Sequence, residues 1–208
     1  DSGSWTYGGH TFRSHGDSGL GAVDMVRSIV LSSNVYYYSL ANTLGVDTIH
    51  DFMKPLGFGQ ITGIDLHGEQ SGILPSQAWK RAAYKRADQQ RWYAGETISL
   101  GIGQGYNSFT MLQLASATAT LANRGVQYPP HLMRAIRESR NSTTQTMSSV
   151  TPRDLNLNQK NVDHIIEAMI GVTQEGTSRL SFANAPYLSA GKTGTAQAVT
   201  IGQNEKYD

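Results

Sequence analysis

The 208-residue chain contains no cysteine, which removes disulfide scaffolds, thiolate metal sites and cysteine nucleophiles in one step. Charge is sparse as well. Charged residues make up 16% of the chain, against about 25% in an ordinary domain. The 17 Lys and Arg face 16 Asp and Glu, a net charge of +1, too even for a whole-domain nucleic-acid footprint. No apolar run approaches the ~18 residues of a membrane span, and the opening Asp1-Ser-Gly-Ser-Trp5 has no signal-peptide core. No internal repeat is visible. What the chain does hold is 38% hydrophobic residues, enough to bury a core. Its length is that of one to one and a half domains, at roughly 150 residues each.

Apolar spacing divides the remainder. Residues 1–21 hold six glycines and little periodic pattern, which reads as loop or a frayed hairpin. From there to residue 185 the pattern is mainly helical. Val23, Val26, Ile29 and Val30 form the stripe of a short helix ending near Leu31. Val35, Tyr38, Ala41 and Leu44 mark a second, stopped by Gly45, and Asp47 is placed to cap a third that ends near Leu56. Residues 58–76 read as loop with room for a small strand, 75–84 as a helix, and 85–96 as exposed polar chain. Thr110 and Gln113 spell a capping box for a helix whose Met111, Leu114, Ala115, Leu121 and Ala122 are expected to supply apolar contacts, closed by Gly125. After Pro129-Pro130, residues 131–138 suit a strand and 139–151 a polar linker. Asn158 caps the best-patterned helix, with Val162, Ile165, Ile166, Met169 and Ile170 along one face. Gly176 closes that region, and 187–199 reads as a strand entered after Pro186. Such a strand would present an unpaired edge. Without a starting Met, and stopping after Asp208, both ends read as cut.

The most informative tetrapeptide is Lys192-Thr193-Gly194-Thr195. It is not a phosphate loop, because the position five residues before Gly191 is Pro186 rather than glycine and the continuation reads as strand. In a strand, Thr193 and Thr195 project to one side, Lys192 adds a cation, and Gly194 leaves room for a ligand lying alongside. Two hydroxyls and an ammonium suit a carboxylate. The same residues also fit a plain strand with a solvated Lys. Ser32-Ser33-Asn34 falls in the turn between two helices, where helix capping accounts for it equally well. The S-x-N pattern recurs at Ser139-Arg140-Asn141. Lys80, Arg81, Lys85, Arg86 and Arg91 interleave with Trp79, Tyr84, Trp92 and Tyr93, but with whole-chain charge near zero they read as a solvated face rather than a nucleic-acid platform. Tyr36-Tyr37-Tyr38 reads as packing. His10, His15, His50, His67, His131 and His164 show no metal-ligand spacing.

Taken together the two short motifs gain meaning. S-x-x-K, S-D-N and K-T-G form the active-site set of penicillin-binding proteins and class A β-lactamases. With Ser32-Ser33-Asn34 in the second place and Lys192-Thr193-Gly194 in the third, the chain resembles that family. Three longer segments are similar to its elongation class, the penicillin-binding protein 2 group. They are Glu96-Thr-Ile-Ser-Leu-Gly-Ile-Gly-Gln-Gly-Tyr106 ahead of the Gln113 helix, Gly191-Lys-Thr-Gly-Thr-Ala-Gln197, and Asn204-Glu-Lys-Tyr207. The division class shares K-T-G-T but matches less well around Gly103-Gln-Gly-Tyr106. The likeness runs from about Leu20 to Asp208.

The resemblance implies an α/β fold, a helical subdomain plus an antiparallel sheet, here truncated at both ends and predominantly helical. Residues 22–185 would be the helical part and 186–208 the K-T-G strand with its following segment. It implies a peptidoglycan D,D-transpeptidase acting in cell-wall elongation through a serine acyl-enzyme. Lys192 and Ser32 would form the proton path to the leaving amine. Asn34 would hold the substrate amide, Thr193, Gly194 and Thr195 the terminal carboxylate, and the Thr195 N–H half of the oxyanion hole. No S-x-x-K precedes Ser32, and the one match, Ser189-Ala-Gly-Lys192, overlaps K-T-G. The nucleophile is therefore expected upstream of Asp1. Expected partners are stem peptides, β-lactam antibiotics and elongation-complex membrane proteins, with no nucleic acid and no cofactor. The expected location is the periplasmic face of the bacterial inner membrane, with the anchor outside the chain. Some elongation-class relatives hold zinc just before S-x-N through a Cys ligand. Here His15 remains without any Cys, so no metal is expected. A D,D-carboxypeptidase, a β-lactamase-type hydrolase and a non-catalytic penicillin-binding sensor are the rival readings.

Overall fold

Gly8 and Gly9 take positive φ angles of 56° and 80°, the conformation that a two-residue hairpin turn requires at both central positions. Around them β1 (Ser4–Tyr7) pairs antiparallel with β2 (His10–Arg13), Tyr7 opposite His10. Of the two readings of the opening, loop or frayed hairpin, the hairpin is the one formed. The computed structural model describes residues 1–14, 18–139, 142–146 and 150–196. After the hairpin come α1 (Met25–Val30), α2 (Asn34–Leu44), α3 (Val46–Met53) with a 3-10 turn at Lys54–Leu56, α4 (Gln77–Ala83), α5 (Ala87–Gln90) and α6 (Ala94–Leu100). Then follow α7 (Met111–Ala122), β3 (Val126–Gln127), β4 (Ala135–Ile136), β5 (Gln145–Thr146), β6 (Arg153–Asp154), α8 (Gln159–Gln174) and α9 (Arg179–Phe182). Among the described residues the strands form three antiparallel pairs, β1–β2, β3–β6 and β4–β5. Helix predominates over strand, as expected.

Contacts gather the chain into two compact units, residues 1–43, 93–105 and 167–208 in the first and 44–92 and 106–166 in the second. In the first, Val35 and Tyr38 of α2 meet Ile98 of α6, with Trp5, Phe12 and Ile102 packed around them. The Phe12 and Tyr38 rings lie 5.5 Å apart, and the Tyr38 hydroxyl donates to the Arg13 carbonyl at 3.1 Å. Helix α6 begins inside the stretch read as exposed polar chain. Its start is secured by the Glu96 carboxylate, which accepts the Tyr93 N–H at 2.9 Å, and Thr97, Ile98 and Leu100 are buried.

In the second unit Phe58, Leu74 and Ala117 form the core with Met53, Leu56 and Phe109. Helix α7 has its capping box: Thr110 Oγ1 accepts the Gln113 N–H at 3.1 Å, and Gln113 Oε1 accepts the Thr110 N–H at 3.0 Å. Its inward face differs from expectation. Gln113, Ala117 and Thr120 are buried, whereas Met111 is 79% and Leu114 42% exposed. Gln113 can face inward because its amide also donates to the carbonyls of Gln60 (2.5 Å) and Ser71 (2.8 Å). Asp47 does not cap α3; Gly45 holds that position. The Asp47 carboxylate instead accepts from the backbone and side-chain amides of Gln77, at 3.0 and 2.7 Å. The strand expected over 131–138 contracts to β4, and its partner β5 lies in the stretch read as linker. Asn158 does cap α8, accepting the N–H groups of Lys160 and Asn161 at 3.1 and 3.3 Å.

Candidate functional site

The candidate residues all lie in the first unit. Asp24 starts α1 by accepting the Arg27 N–H at 2.8 Å. The helix ends in a Schellman arrangement: the Ser33 N–H reaches back to the Ser28 carbonyl at 2.9 Å and the Ser32 N–H to Ile29 at 3.2 Å. Ser32 occupies the left-handed position of that cap, at φ 58°. Glycine is the usual occupant there, and a side chain held in such a conformation costs on the order of 1–2 kcal/mol. Ser33 is fully buried, accepts the Tyr36 N–H at 3.3 Å and donates to the Asp1 carboxylate at 2.5 Å. Half-buried Asn34 is the first residue of α2. The turn thus does both jobs: Ser33 anchors it, while Ser32 and Asn34 are left toward its surface.

The K-T-G segment approaches from the other end of the chain. It is not a strand. Residues 187–196 are irregular, and 197–199 lie outside the described residues. A strand exists through ladder bonds to a neighbour; this segment is tied to α8 instead. The Gly191 N–H donates to the Met169 carbonyl at 3.0 Å, and Thr173 Oγ1 donates to the Ser189 carbonyl at 2.7 Å. The expected strand alternation of Thr193 and Thr195 therefore does not apply, and residues 192–195 are exposed. A side chain at Gly194 would meet open space.

The two segments, 160 residues apart, meet at Lys192. Its ammonium donates to Ser32 Oγ at 2.8 Å, to the Thr193 carbonyl at 3.0 Å and to Thr193 Oγ1 at 3.4 Å. Although the residue as a whole is exposed, withdrawal of the ammonium from water against these groups lowers its pKa below the ordinary 10.5. Because Ser32 Oγ accepts from Lys192, its own proton remains available to donate elsewhere. Asn34 shares the turn but, among the described residues, bonds to neither Lys192 nor Thr195.

Two contributors were not singled out from sequence. Gln104 lies in the Gly103-Gln-Gly105 turn, and its amide donates to the Thr195 carbonyl at 3.4 Å. Thr177 places its hydroxyl 3.1 Å from that of Thr193. Gly103 and Gly105, both at positive φ, make the tight turn that presents Gln104, whereas nothing local marks Thr177. The close approach of α1 to the end of α8 rests on Gly171 and Gly176. A Cβ at Gly176 would stand 2.3 Å from the Val30 carbonyl oxygen, and one at Gly171 2.7 Å from Val30 Cγ2.

Other features point away from these residues. A cavity of 170 Å³ in the second unit is lined by Pro55, Gln60, Gln113 and Arg153 among others, and by no motif residue. Lys80, read as part of a solvated face, is only 3% exposed and lies 5.5 Å from the ring centres of both Trp92 and Tyr106, a packed cation–π contact. Its basic neighbours Arg81, Lys85, Arg86 and Arg91 are exposed. Among the described residues no helix is long and apolar enough to cross a membrane, and no cluster of three or more His, Asp or Glu could hold a metal. His15, Asn141, Gln197 and 204–207 lie outside the described residues.

Comparison with known proteins gives a consistent picture. The family model described as penicillin binding protein transpeptidase domain matches residues 1–208. The peptidoglycan D,D-transpeptidase MrdA of Acinetobacter baumannii is 40% identical over 201 residues, covering 96% of this chain and 29% of that protein. The crystal structure of Pseudomonas aeruginosa PBP2 in complex with WCK 5153 superposes with a TM-score of 0.82 at 38% identity, covering 95% of this chain and 44% of that one. PBP2 of Helicobacter pylori, solved in complex with MreC, gives a TM-score of 0.76 at 28% identity, covering 94% and 34%. The chain spans about a third of the length of the curated relatives it matches.

Proposed function

The chain belongs to the penicillin-binding protein transpeptidase domain family, and from that premise we propose that it forms part of a peptidoglycan D,D-transpeptidase of cell-wall elongation. The donor is a stem peptide ending in D-Ala-D-Ala. A serine supplied by chain outside these residues attacks the carbonyl between the two D-alanines. The Ser O–C bond forms, the amide C–N bond breaks, and D-Ala leaves with a proton on its amine. The amine of a second stem peptide then displaces the serine and completes the crosslink.

Within that scheme Ser32 delivers the proton to the departing amine, since its oxygen accepts from the Lys192 ammonium and leaves its own hydrogen to donate. Lys192 replenishes that proton and adds positive charge facing the terminal carboxylate. Thr193 and Thr195 donate hydroxyls to the same carboxylate, with Gly194 leaving the approach open. Asn34 engages the substrate amide from the head of α2, and the Thr195 N–H supplies half of the oxyanion hole. β-Lactams carry both a carboxylate and a reactive amide, so they acylate the same serine. Stem peptides, β-lactams and elongation-complex membrane proteins are the partners this reading assigns, on the extracytoplasmic side of the membrane.

The observation that supports the reading most is the 2.8 Å contact between Lys192 and Ser32 across 160 residues, joining two motifs that are individually weak. The test is stem-peptide crosslinking by the full-length protein. Formation of crosslinked dimers is expected, abolished by penicillin. Release of D-Ala without dimers would make the protein a carboxypeptidase, and penicillin acylation without either product would make it a sensor.

A further inference from the structure

Thr177 has no part in the scheme above, yet it touches both halves of the site. Its N–H donates to the Val30 carbonyl at 3.4 Å, two residues before Ser32, and its hydroxyl lies 3.1 Å from that of Thr193. The neighbouring Gly176 packs directly on the Val30 carbonyl. The turn after α8 therefore fixes Thr177 against the element that presents Ser32, and Thr177 in turn fixes the hydroxyl of Thr193.

We infer that Thr177 is a positioning residue for carboxylate recognition, one that commits the Thr193 hydroxyl to donate toward the ligand. A hydroxyl has one proton to give and two lone pairs to accept with. Thr193 Oγ1 already accepts from the Lys192 ammonium at 3.4 Å. When Thr177 donates into the second lone pair, the only direction left for Thr193 is to give its own proton, and a carboxylate is an acceptor-only partner. Without a ligand the pair reverses, Thr193 donating to Thr177, so Thr193 stays satisfied in both states. The series Lys192 or Thr177 to Thr193 to carboxylate polarises each bond in the same sense, which strengthens the last one. Because Thr177 is exposed, its hydroxyl can be removed without opening a hole in the core.

This inference rests on the proposed carboxylate site, and the test separates the two. Acylation of the full-length protein is measured with benzylpenicillin and with its methyl ester, in which the carboxylate is blocked. The ratio of the two second-order rate constants reads carboxylate recognition alone. Thr193→Val is expected to lower the ratio. Thr177→Val, of the same shape but without the hydroxyl, is expected to lower it about five- to tenfold, the worth of one modest hydrogen bond, and Thr177→Ser to restore it. If Thr193→Val lowers the ratio and Thr177→Val does not, the role of Thr177 is wrong and the carboxylate site stands. If Thr177→Ser loses as much as Thr177→Val, the residue acts by packing and the inference fails. If Thr193→Val leaves the ratio unchanged, the carboxylate reading itself falls and takes this inference with it.

Discussion

Replacing Ser32 by glycine should make the protein more stable and less active at once. Ser32 fills the left-handed position of the cap ending α1, at φ 58°, where a side chain is penalised and glycine is not. Relief of that penalty is worth about 1–2 kcal/mol, less the roughly 0.5–1 kcal/mol that glycine loses through its freer unfolded chain. The net gain of about 0.5–1 kcal/mol corresponds to a rise in melting temperature of ~1–4 °C for a domain of this size. The hydroxyl that accepts from Lys192 at 2.8 Å disappears, and removal of a proton-transfer group lowers rate by about 10²–10⁴-fold. Ser32→Ala is the control: it keeps a β-carbon in the strained position and loses the same hydroxyl, so it should lose activity without gaining stability. Differential scanning calorimetry and fluorescent-penicillin acylation of the full-length protein read the two effects separately. A glycine variant that melts lower than wild type would refute the strain argument, and one that acylates at the wild-type rate would remove Ser32 from the chemistry.

Three further outcomes are expected. Burial lowers the Lys192 pKa below 10.5, so the unfolded chain binds more protons than the folded one between the lowered value and 10.5. Stability relative to Lys192→Met should therefore rise with pH across that window, while acylation falls with a midpoint below 10.5; Lys192→Arg, which keeps its charge, should move the acylation limb upward, and an unmoved limb would assign it to another group. Gly176→Ala would put a Cβ 2.3 Å from the Val30 carbonyl oxygen and 2.8 Å from Val172 Cα, forcing backbone apart; about 1–3 kcal/mol of stability should go, and the shift of the Ser32 turn should slow acylation by up to about 10²-fold, so wild-type melting and acylation would refute the close approach. Gln113→Ala strips the partners from the Gln60 and Ser71 carbonyls in a site only 1% exposed, and urea titration should show a loss of about 1–3 kcal/mol; a loss under half that would mean water replaces the amide.

How far the sequence carried depended on whether the deciding interaction was local. The capping box at Thr110 and Gln113 and the Asn158 cap of α8 are made within three residues, and both were legible. The Gly8-Gly9 hairpin is equally local and was half legible, as one of two readings of the opening; Trp5 and Tyr7 alternating with Thr6 ahead of Gly8-Gly9 are the signal that decides for it. Asp47 looked like a cap because its type suits one, but its carboxylate is taken by Gln77, 30 residues away. Helix α6 was missed because it opens on Ala94-Gly95, with an aromatic residue at its cap and the stabilising carboxylate inside it. On α7 Met111 and Leu114 lie on the exposed side while Gln113 is buried, since a glutamine with several partners is cheaper to bury than its polarity suggests. The expected strand over 187–199 has the composition of one, but pairing is a property of a neighbour, and the described part is bound to α8 instead.

The site itself was legible for a different reason, and its departures from expectation explain its exposure. Ser32, Lys192 and Thr193 were singled out by chemistry rather than by secondary structure, so the loss of the expected strand leaves their meeting intact. What a strand would have supplied, a fixed spacing of hydroxyls along one face, is supplied piecemeal: α8 holds Ser189 and Gly191, the 103–105 turn holds the Thr195 carbonyl, and Thr177 holds the Thr193 hydroxyl. Each tether is a single hydrogen bond at 2.7–3.4 Å, and each such bond contributes only about 0.5–1.5 kcal/mol. A segment secured this way can shift by a bond at a time without unfolding, whereas Ser32, locked by two backbone bonds and a strained cap, cannot. The division suits the proposed reaction, in which a proton donor at Ser32 has to lie within a hydrogen-bond length of the leaving amine. For the proposed carboxylate site, a segment tied at its ends and free between them has room to adjust to ligands of different shape.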